Sequence, residues 1–166
     1  MSLESVLAFL ALKAPELRVT DLWDAPESGI PAIASGQLAK SLLLNLGSKR
    51  AMIVIAGNTH LDNKKCRLAF GVRPRMLAAK VVETSTGHAV DAVSPIGMGC
   101  RVPVYCDLSL RRFVDIYLPA NGHDKVVKIS VGRMARLVNA RWVDTSRPMH
   151  AHNETVCIPD YDFVPA

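Results

Sequence analysis

The sequence predicts an α/β (α+β) fold, a single domain in which helices flank a mixed β-sheet. Three observations predict it. Segments of helical period and segments of strand character are interleaved from residue 2 to residue 144. Two apolar runs, 41–46 and 51–56, are nearly continuous rather than alternating, as in strands covered on both faces. The chain has 166 residues, 49% hydrophobic and 21% charged, which suffices for one core of ordinary composition.

Residues 2–13 place Leu3, Val6, Leu7 and Leu10 on one helical face, with Ser2 as N-cap, and Pro15 ends the helix. Glu4, and no basic residue before the apolar stretch, argue for a cytosolic amphipathic helix over a signal peptide. Residues 17–22 suit a short strand. Residues 23–34 carry Pro26, Gly29 and Pro31 and read as loop. Ser35 caps a turn leading to Lys40, and the two apolar runs then pair across 47–50. Asp62 caps a helix that reaches Phe70 and ends at Gly71; a second helix covers 77–86 and ends at Gly87. Residues 89–93 look extended and run into a turn forced by Ser94-Pro95-Ile96-Gly97. Strands follow at 102–106, 113–118 and 125–129, the last after a turn at Asn121-Gly122. Ser130 caps a helix carrying Met134, Leu137 and Val138, and 141–144 is the last strand. From Thr145 no period survives, so the domain is expected at 1–145 and an irregular tail at 146–166.

The net charge of +5 favours a polyanionic partner such as nucleic acid. No apolar run is long enough to cross a bilayer, so no membrane partner is expected and the cytoplasm is the expected location. The four cysteines, Cys66, Cys100, Cys106 and Cys157, form no CxxC pair and read as free thiols of a reducing compartment. Common catalytic signatures (GxGxxG, a Walker loop, GxSxG, HExxH) are absent. His150-x-His152 lacks a third ligand, so no metal and no cofactor is expected. His88 and His123 flank turn glycines and read as surface-loop residues. Lys64, Lys65, Arg67, Arg73 and Arg75 form a basic cluster, read either as a solvated face or as a phosphate-contacting patch. Lys40 differs from these. Leu38 and Ala39 precede it and Ser41 with three leucines follows, so its ammonium must meet a carbonyl, a carboxylate or a ligand, or else snorkel out at the strand end.

The order of segments SGQLAKSLLL, AMIVIAG, HLDNKKCRLAFG, RPRMLAAKVVETSTGHAVDAVSPIG, VPVYCDLSLRRFVDIYLPANG and ARLVNARWVD resembles the YbaK/prolyl-tRNA-synthetase-associated domain family. The resemblance spans residues 2–144 and leaves the tail unmatched. It implies a curved mixed sheet flanked by helices and an aminoacyl-tRNA deacylase, which hydrolyses the ester of a mischarged amino acid, often on tRNA for proline. Gln37-Leu38-Ala39-Lys40 matches the family's lysine motif, and the resemblance gives Lys40 the tRNA's terminal adenosine or phosphate to contact. It implies a positioned water as the attacking group, helped by the substrate's ribose hydroxyl, with the carbonyl held by loop backbone. The implied substrate-binding residues are Asp91, Ala92, Val93, Ser94, Pro95, Gly97 and Gly122. Two departures stand out. Asp91 and Ala92 occupy positions of the family's GxxxP loop where glycine is usual, and 23–34 is shorter than the family's threonine-led helix.

Two functions follow. One is a free-standing, metal-independent trans-editing deacylase for a small amino acid on tRNA, with tRNA and a synthetase as partners and no DNA. The other is a catalytically altered module of the same fold that binds tRNA or a synthetase. The deacylase is the expectation carried forward.

Overall fold

The computed structural model describes residues 2–22, 36–121 and 124–149. Helix α1 (Ser2–Lys13) buries Val6 and Leu10 one turn apart, and Ala14 continues that stripe just past its end. Pro15 follows at once, as expected of a stop. Leu7, expected on the same stripe, is 48% exposed, since one residue turns the helix by about 100° from Val6. Strand β1 (Val19–Asp21) lies inside the expected 17–22. The loop expected at 23–34 and the cap at Ser35 lie outside the described residues.

Strands β2 (Lys40–Leu46) and β3 (Lys49–Ile55) form the expected antiparallel hairpin, with Lys40 opposite Ile55 and Leu46 opposite Lys49. Its turn is tighter than the expected 47–50. Only Gly47 and Ser48 separate the strands, and Gly47 adopts φ +70°, which glycine takes without strain. A short strand, β4 (Thr59–Leu61), follows. Helix α2 (Asn63–Phe70) is closed at both ends as read: the Asp62 side chain accepts from the Lys64 and Lys65 N–H groups, and Gly71 is left-handed. Strand β5 (Arg75–Met76) takes residues just before the expected second helix, which begins two positions late as α3 (Ala79–Thr86). The stretch 89–93 is extended only at its ends, Ala89 and Val93. Ala92 N–H donates to the Ala89 carbonyl at 2.9 Å, closing a 3-10 turn over Val90–Ala92 that buries Ala92 and Val93.

The remainder runs as β6 (Val104–Asp107), a 3-10 turn (Leu108–Arg112), β7 (Asp115–Asn121), β8 (Lys125–Ser130), α4 (Val131–Leu137), β9 (Arg141–Val143) and β10 (Ser146–Pro148). Ser130 Oγ accepts from Arg133 N–H at 3.2 Å, the expected cap of α4. Strand β10 corrects the expected break at 145/146: residues 146–148 pair antiparallel with β4 and belong to the folded unit. Two three-residue strands carry too few positions to show a period, and one of them contains Pro148. Residues 150–166 lie outside the described set.

The fold is mixed α+β. A five-stranded sheet has the order β5-β2-β3-β6-β9, antiparallel across β5-β2-β3 and parallel across β3-β6-β9. Strands β1-β8-β7 make a second, antiparallel sheet. The two meet where Ala39 N–H donates to the Tyr117 carbonyl at 3.0 Å and Tyr117 N–H donates to the Gln37 carbonyl at 2.8 Å. Both faces of the β2–β3 hairpin are covered, as the continuous apolar runs predict. Leu43, Met52 and Val54 join Val6, Leu10, Val93, Ile96 and Met134 in the larger core. Leu42, Leu44, Ile53 and Ile55 pack on the opposite face with Leu61, Phe70 and Tyr105.

Gly57 is where the chain leaving β3 crosses the chain entering β2. Its N–H donates to the Gly36 carbonyl at 3.0 Å, and a Cβ there would lie 2.2 Å from the Leu38 carbonyl oxygen. That oxygen is backbone and cannot swing aside. Gly57→Ala is therefore expected to destabilise the protein by about 1–3 kcal/mol, read as a lower urea midpoint at unchanged slope. An unchanged midpoint would show that this crossing tolerates a side chain.

Candidate functional site

Lys40 opens β2, and alternation puts it on the same face as Leu42 and Leu44. It is 9% exposed and does not snorkel. Its ammonium meets a carbonyl, one of the partners its sequence setting calls for: Nζ donates to the Thr59 carbonyl at 3.1 Å, and Met149 Sδ lies 3.8 Å away. Thr59 is fixed by its own turn, since its N–H and Oγ1 both donate to the Ala56 carbonyl, at 3.1 and 2.7 Å. Met149 is delivered by β10, and its N–H donates to the Asn58 carbonyl at 3.0 Å.

The loop expected to bind substrate is packed into the main core, where Val93 and Ile96 join Leu43. Ala92, Val93, Ser94, Pro95 and Gly97 are all buried; Asp91 lies in the 3-10 turn, and its side chain is outside the described set, as is Gly122. Gly97 adopts φ +70° against α1, where a Cβ would meet the Val6 nitrogen at 2.7 Å. Val90 and Val93 share with Ser41, Leu43, Leu77 and Val82 a cavity of about 10 Å³, room for one water. Ser41 Oγ is buried there without a hydrogen-bond partner. Ser41 and Lys40 are adjacent and therefore point to opposite faces of β2. Lys40 is not among this cavity's walls.

His88 is not a surface residue. It is 1% exposed, because Gly87 turns the end of α3 inward and the imidazole packs beneath the loop. Burial pushes its pKa down, against the neighbouring backbone of Gly97 and Ile96, which favours the charged ring; neither ring nitrogen has a well-formed hydrogen bond. Of the basic cluster, Lys64, Arg67, Arg73 and Arg75 are exposed. Lys65 is tied down, pairing with Asp144 at 3.0 Å and donating to the Ser146 carbonyl at 2.9 Å. Cys66 and Cys106 are buried, and burial pushes their thiols up to about 11 and about 12, so neither is a thiolate at neutral pH. Among the described residues no three His, Cys, Asp or Glu side chains are grouped to hold a metal, and no helix is long and apolar enough to cross a membrane.

Sequence reasoning missed Thr59, Met149 and Asp107. Asp107 is fully buried at the end of β6 and accepts from Ser109 N–H at 2.9 Å, Thr145 N–H at 2.7 Å, Thr145 Oγ1 at 2.8 Å and Ser146 Oγ. Its burial alone would raise the carboxyl pKa, yet these four donors hold it below the ordinary value. The available signal was an acidic residue ending an apolar strand, which a strand end also explains.

This fold, with a buried lysine opening its central hairpin, defines a class. The model of the aminoacyl-tRNA editing domain matches residues 29–137, and the chain belongs to that family. It is 30% identical over 117 residues to the uncharacterized protein YwhH of Bacillus subtilis strain 168, covering 69% of this chain and 74% of that protein. It is 29% identical over 115 residues to EbsC of Enterococcus faecalis strain V583, named as a candidate Cys-tRNA(Pro)/Cys-tRNA(Cys) deacylase, covering 68% and 70%. Among solved structures, a candidate trans-editing enzyme for prolyl-tRNA synthetase superposes with a TM-score of 0.76 at 22% identity, over 88% of this chain and 97% of that one. The hypothetical protein APE2540 superposes at 0.72 and 17% identity, over 86% and 99%.

A histidine buried neutral stabilises the fold above its unfolded pKa, and that contribution is lost as pH falls below it. With an ordinary value of 6.5 for His88, wild-type stability is expected to decline from pH 7 to pH 5 more steeply than that of His88→Gln. Urea midpoints at the two pH values check this, and parallel declines would contradict it.

Proposed function

We propose that the protein is a free-standing deacylase that hydrolyses the ester of a small, mischarged amino acid on tRNA, with tRNA for proline as the first candidate. The carrying observation is Lys40: the lysine of the motif by which the sequence resembles the family is buried at the head of β2, with its ammonium positioned by the Thr59 carbonyl. Family membership supports the reaction class, and the EbsC relative supports cysteine on tRNA for proline among the substrates to try. In the reaction, water adds to the ester carbonyl carbon. The bond to the ribose oxygen then breaks, and that oxygen takes the proton the water has lost. Lys40 is proposed to place the terminal nucleotide so that the carbonyl meets the water, which is orientation rather than nucleophilic attack. The raised thiols of Cys66 and Cys106 agree with a reaction that uses no protein nucleophile. The exposed Lys64, Arg67, Arg73 and Arg75 are proposed to meet tRNA phosphates.

One observation favours a second reading. The 92–97 loop is packed into the core, and the cavity beside it, about 10 Å³, has room for no more than one water. A module that binds tRNA, or docks on a synthetase, without turnover would need no more space than that.

Alanyl-, cysteinyl- and seryl-tRNA, each charged on tRNA for proline, are incubated with wild-type protein and with Lys40→Ala. Ester loss on at least one, slowed about 100-fold by the substitution and unaffected by a chelator, is the expected result. No ester loss on any of them, together with salt-sensitive tRNA binding, would establish the second reading instead.

A further inference from the structure

We propose that Asp107 is a positioning residue for Lys40, acting through two elements that touch the lysine's ammonium, the Thr59 turn and the segment that follows β10. This rests on the reading of Lys40 given above. One arm starts at Oδ2, which accepts from Ser109 N–H at 2.9 Å. Ser109 Oγ in turn accepts from Ala56 N–H at 3.0 Å. The Ala56 carbonyl takes both donors of Thr59, and the Thr59 carbonyl holds Lys40 Nζ at 3.1 Å. The other arm starts from both carboxylate oxygens, which take Thr145 N–H, Thr145 Oγ1 and Ser146 Oγ. Those bonds fix the start of β10, whose pairing with β4 sets Pro148 opposite Thr59 and brings Met149 Sδ to 3.8 Å from Lys40 Nζ.

The two arms leave one carboxylate and converge on one ammonium. Every polar side chain along them is buried: Asp107, Thr59 and Thr145 at 1% exposure or less, Ser146 at 5% and Ser109 at 9%. Water therefore cannot substitute for a lost partner. The second arm also lies beyond residue 137, where the family match ends. Four donors converge on two acceptor oxygens, which only the ionised carboxylate satisfies. An amide in its place must turn its NH2 group toward at least one of those donors, and that arm is released.

Asp107→Asn, Ser109→Ala and Ser146→Ala are prepared alone and combined with Lys40→Ala, and thermal melts establish which are folded. The first readout needs no enzymatic activity. Wild type and each variant that retains Lys40 are treated briefly with N-hydroxysuccinimidyl acetate, and acetylation of Lys40 is measured by mass spectrometry against the exposed Lys80. The expected result is a Lys40-to-Lys80 ratio raised at least about fivefold in Asp107→Asn, with smaller rises in the serine variants. The second readout is deacylation. Asp107→Asn is expected to lower kcat about tenfold or more, with KM within about twofold, and to add no further loss on Lys40→Ala. An unchanged acetylation ratio in folded variants overturns the proposal, as does a loss that multiplies with that of Lys40→Ala. Should Asp107→Asn not fold, the two serine variants decide by the same ratios. Should wild type hydrolyse no ester, the deacylase reading fails and the acetylation ratios alone decide this one.

Discussion

A buried ammonium has to be held. Placing a lysine charge at the head of a core strand costs several kcal/mol unless polar partners replace the water it has lost. The Thr59 carbonyl is one such partner here, and the turn that presents it, residues 56–59, is built to keep that oxygen in place. The surrounding architecture follows from the need. Gly57 lets the chain leaving β3 cross under residues 36–38, and Gly36 takes the hydrogen bond across that crossing. Strand β4 then runs beside β10, and the Asp107 carboxylate ties the start of β10 to the end of β6.

The hairpin β2–β3 separates two chemical environments. One face, with Leu43, Met52 and Val54, carries the main core and the packed 92–97 loop. The other, with Lys40, Leu42 and Leu44, is closed by α2 and its neighbours, and it is where the charge sits. Adjacent residues of a strand point to opposite faces. A lysine at position 40 and a serine at position 41 therefore serve different faces, and this registry separates the ammonium from the small cavity lined by Ser41.

Local chemistry was readable where one residue suffices to set the backbone. Asp62 and Gly71 bound α2 because a side-chain acceptor and a left-handed glycine are local devices, and Ser130 starts α4 for the same reason. Continuous apolar runs marked the hairpin. Lys40 itself was legible as a charge in need of a partner. What stayed hidden depends on distant parts of the chain. Residues 89–93 have the composition of a strand, but tertiary burial of Ala92 and Val93 closes them into a 3-10 turn. His88 beside a glycine reads as a loop residue until that loop is folded over it. The pairing of β4 with β10 joins segments some eighty residues apart, each too short to show a period. The hydrogen bonds of Asp107 to Thr145 and Ser146 span 38 and 39 residues, so no local pattern announces them.

The central claim is that the Lys40 ammonium receives the end of an aminoacyl-tRNA. A crystal structure with a non-hydrolysable, amide-linked aminoacyl-adenosine tests it most directly. The account predicts the nucleoside or its 5′-phosphate within hydrogen-bond distance of Lys40 Nζ, with Thr59 still holding the lysine. A ligand bound away from Lys40, with the lysine's contacts to Thr59 and Met149 unchanged, would contradict it.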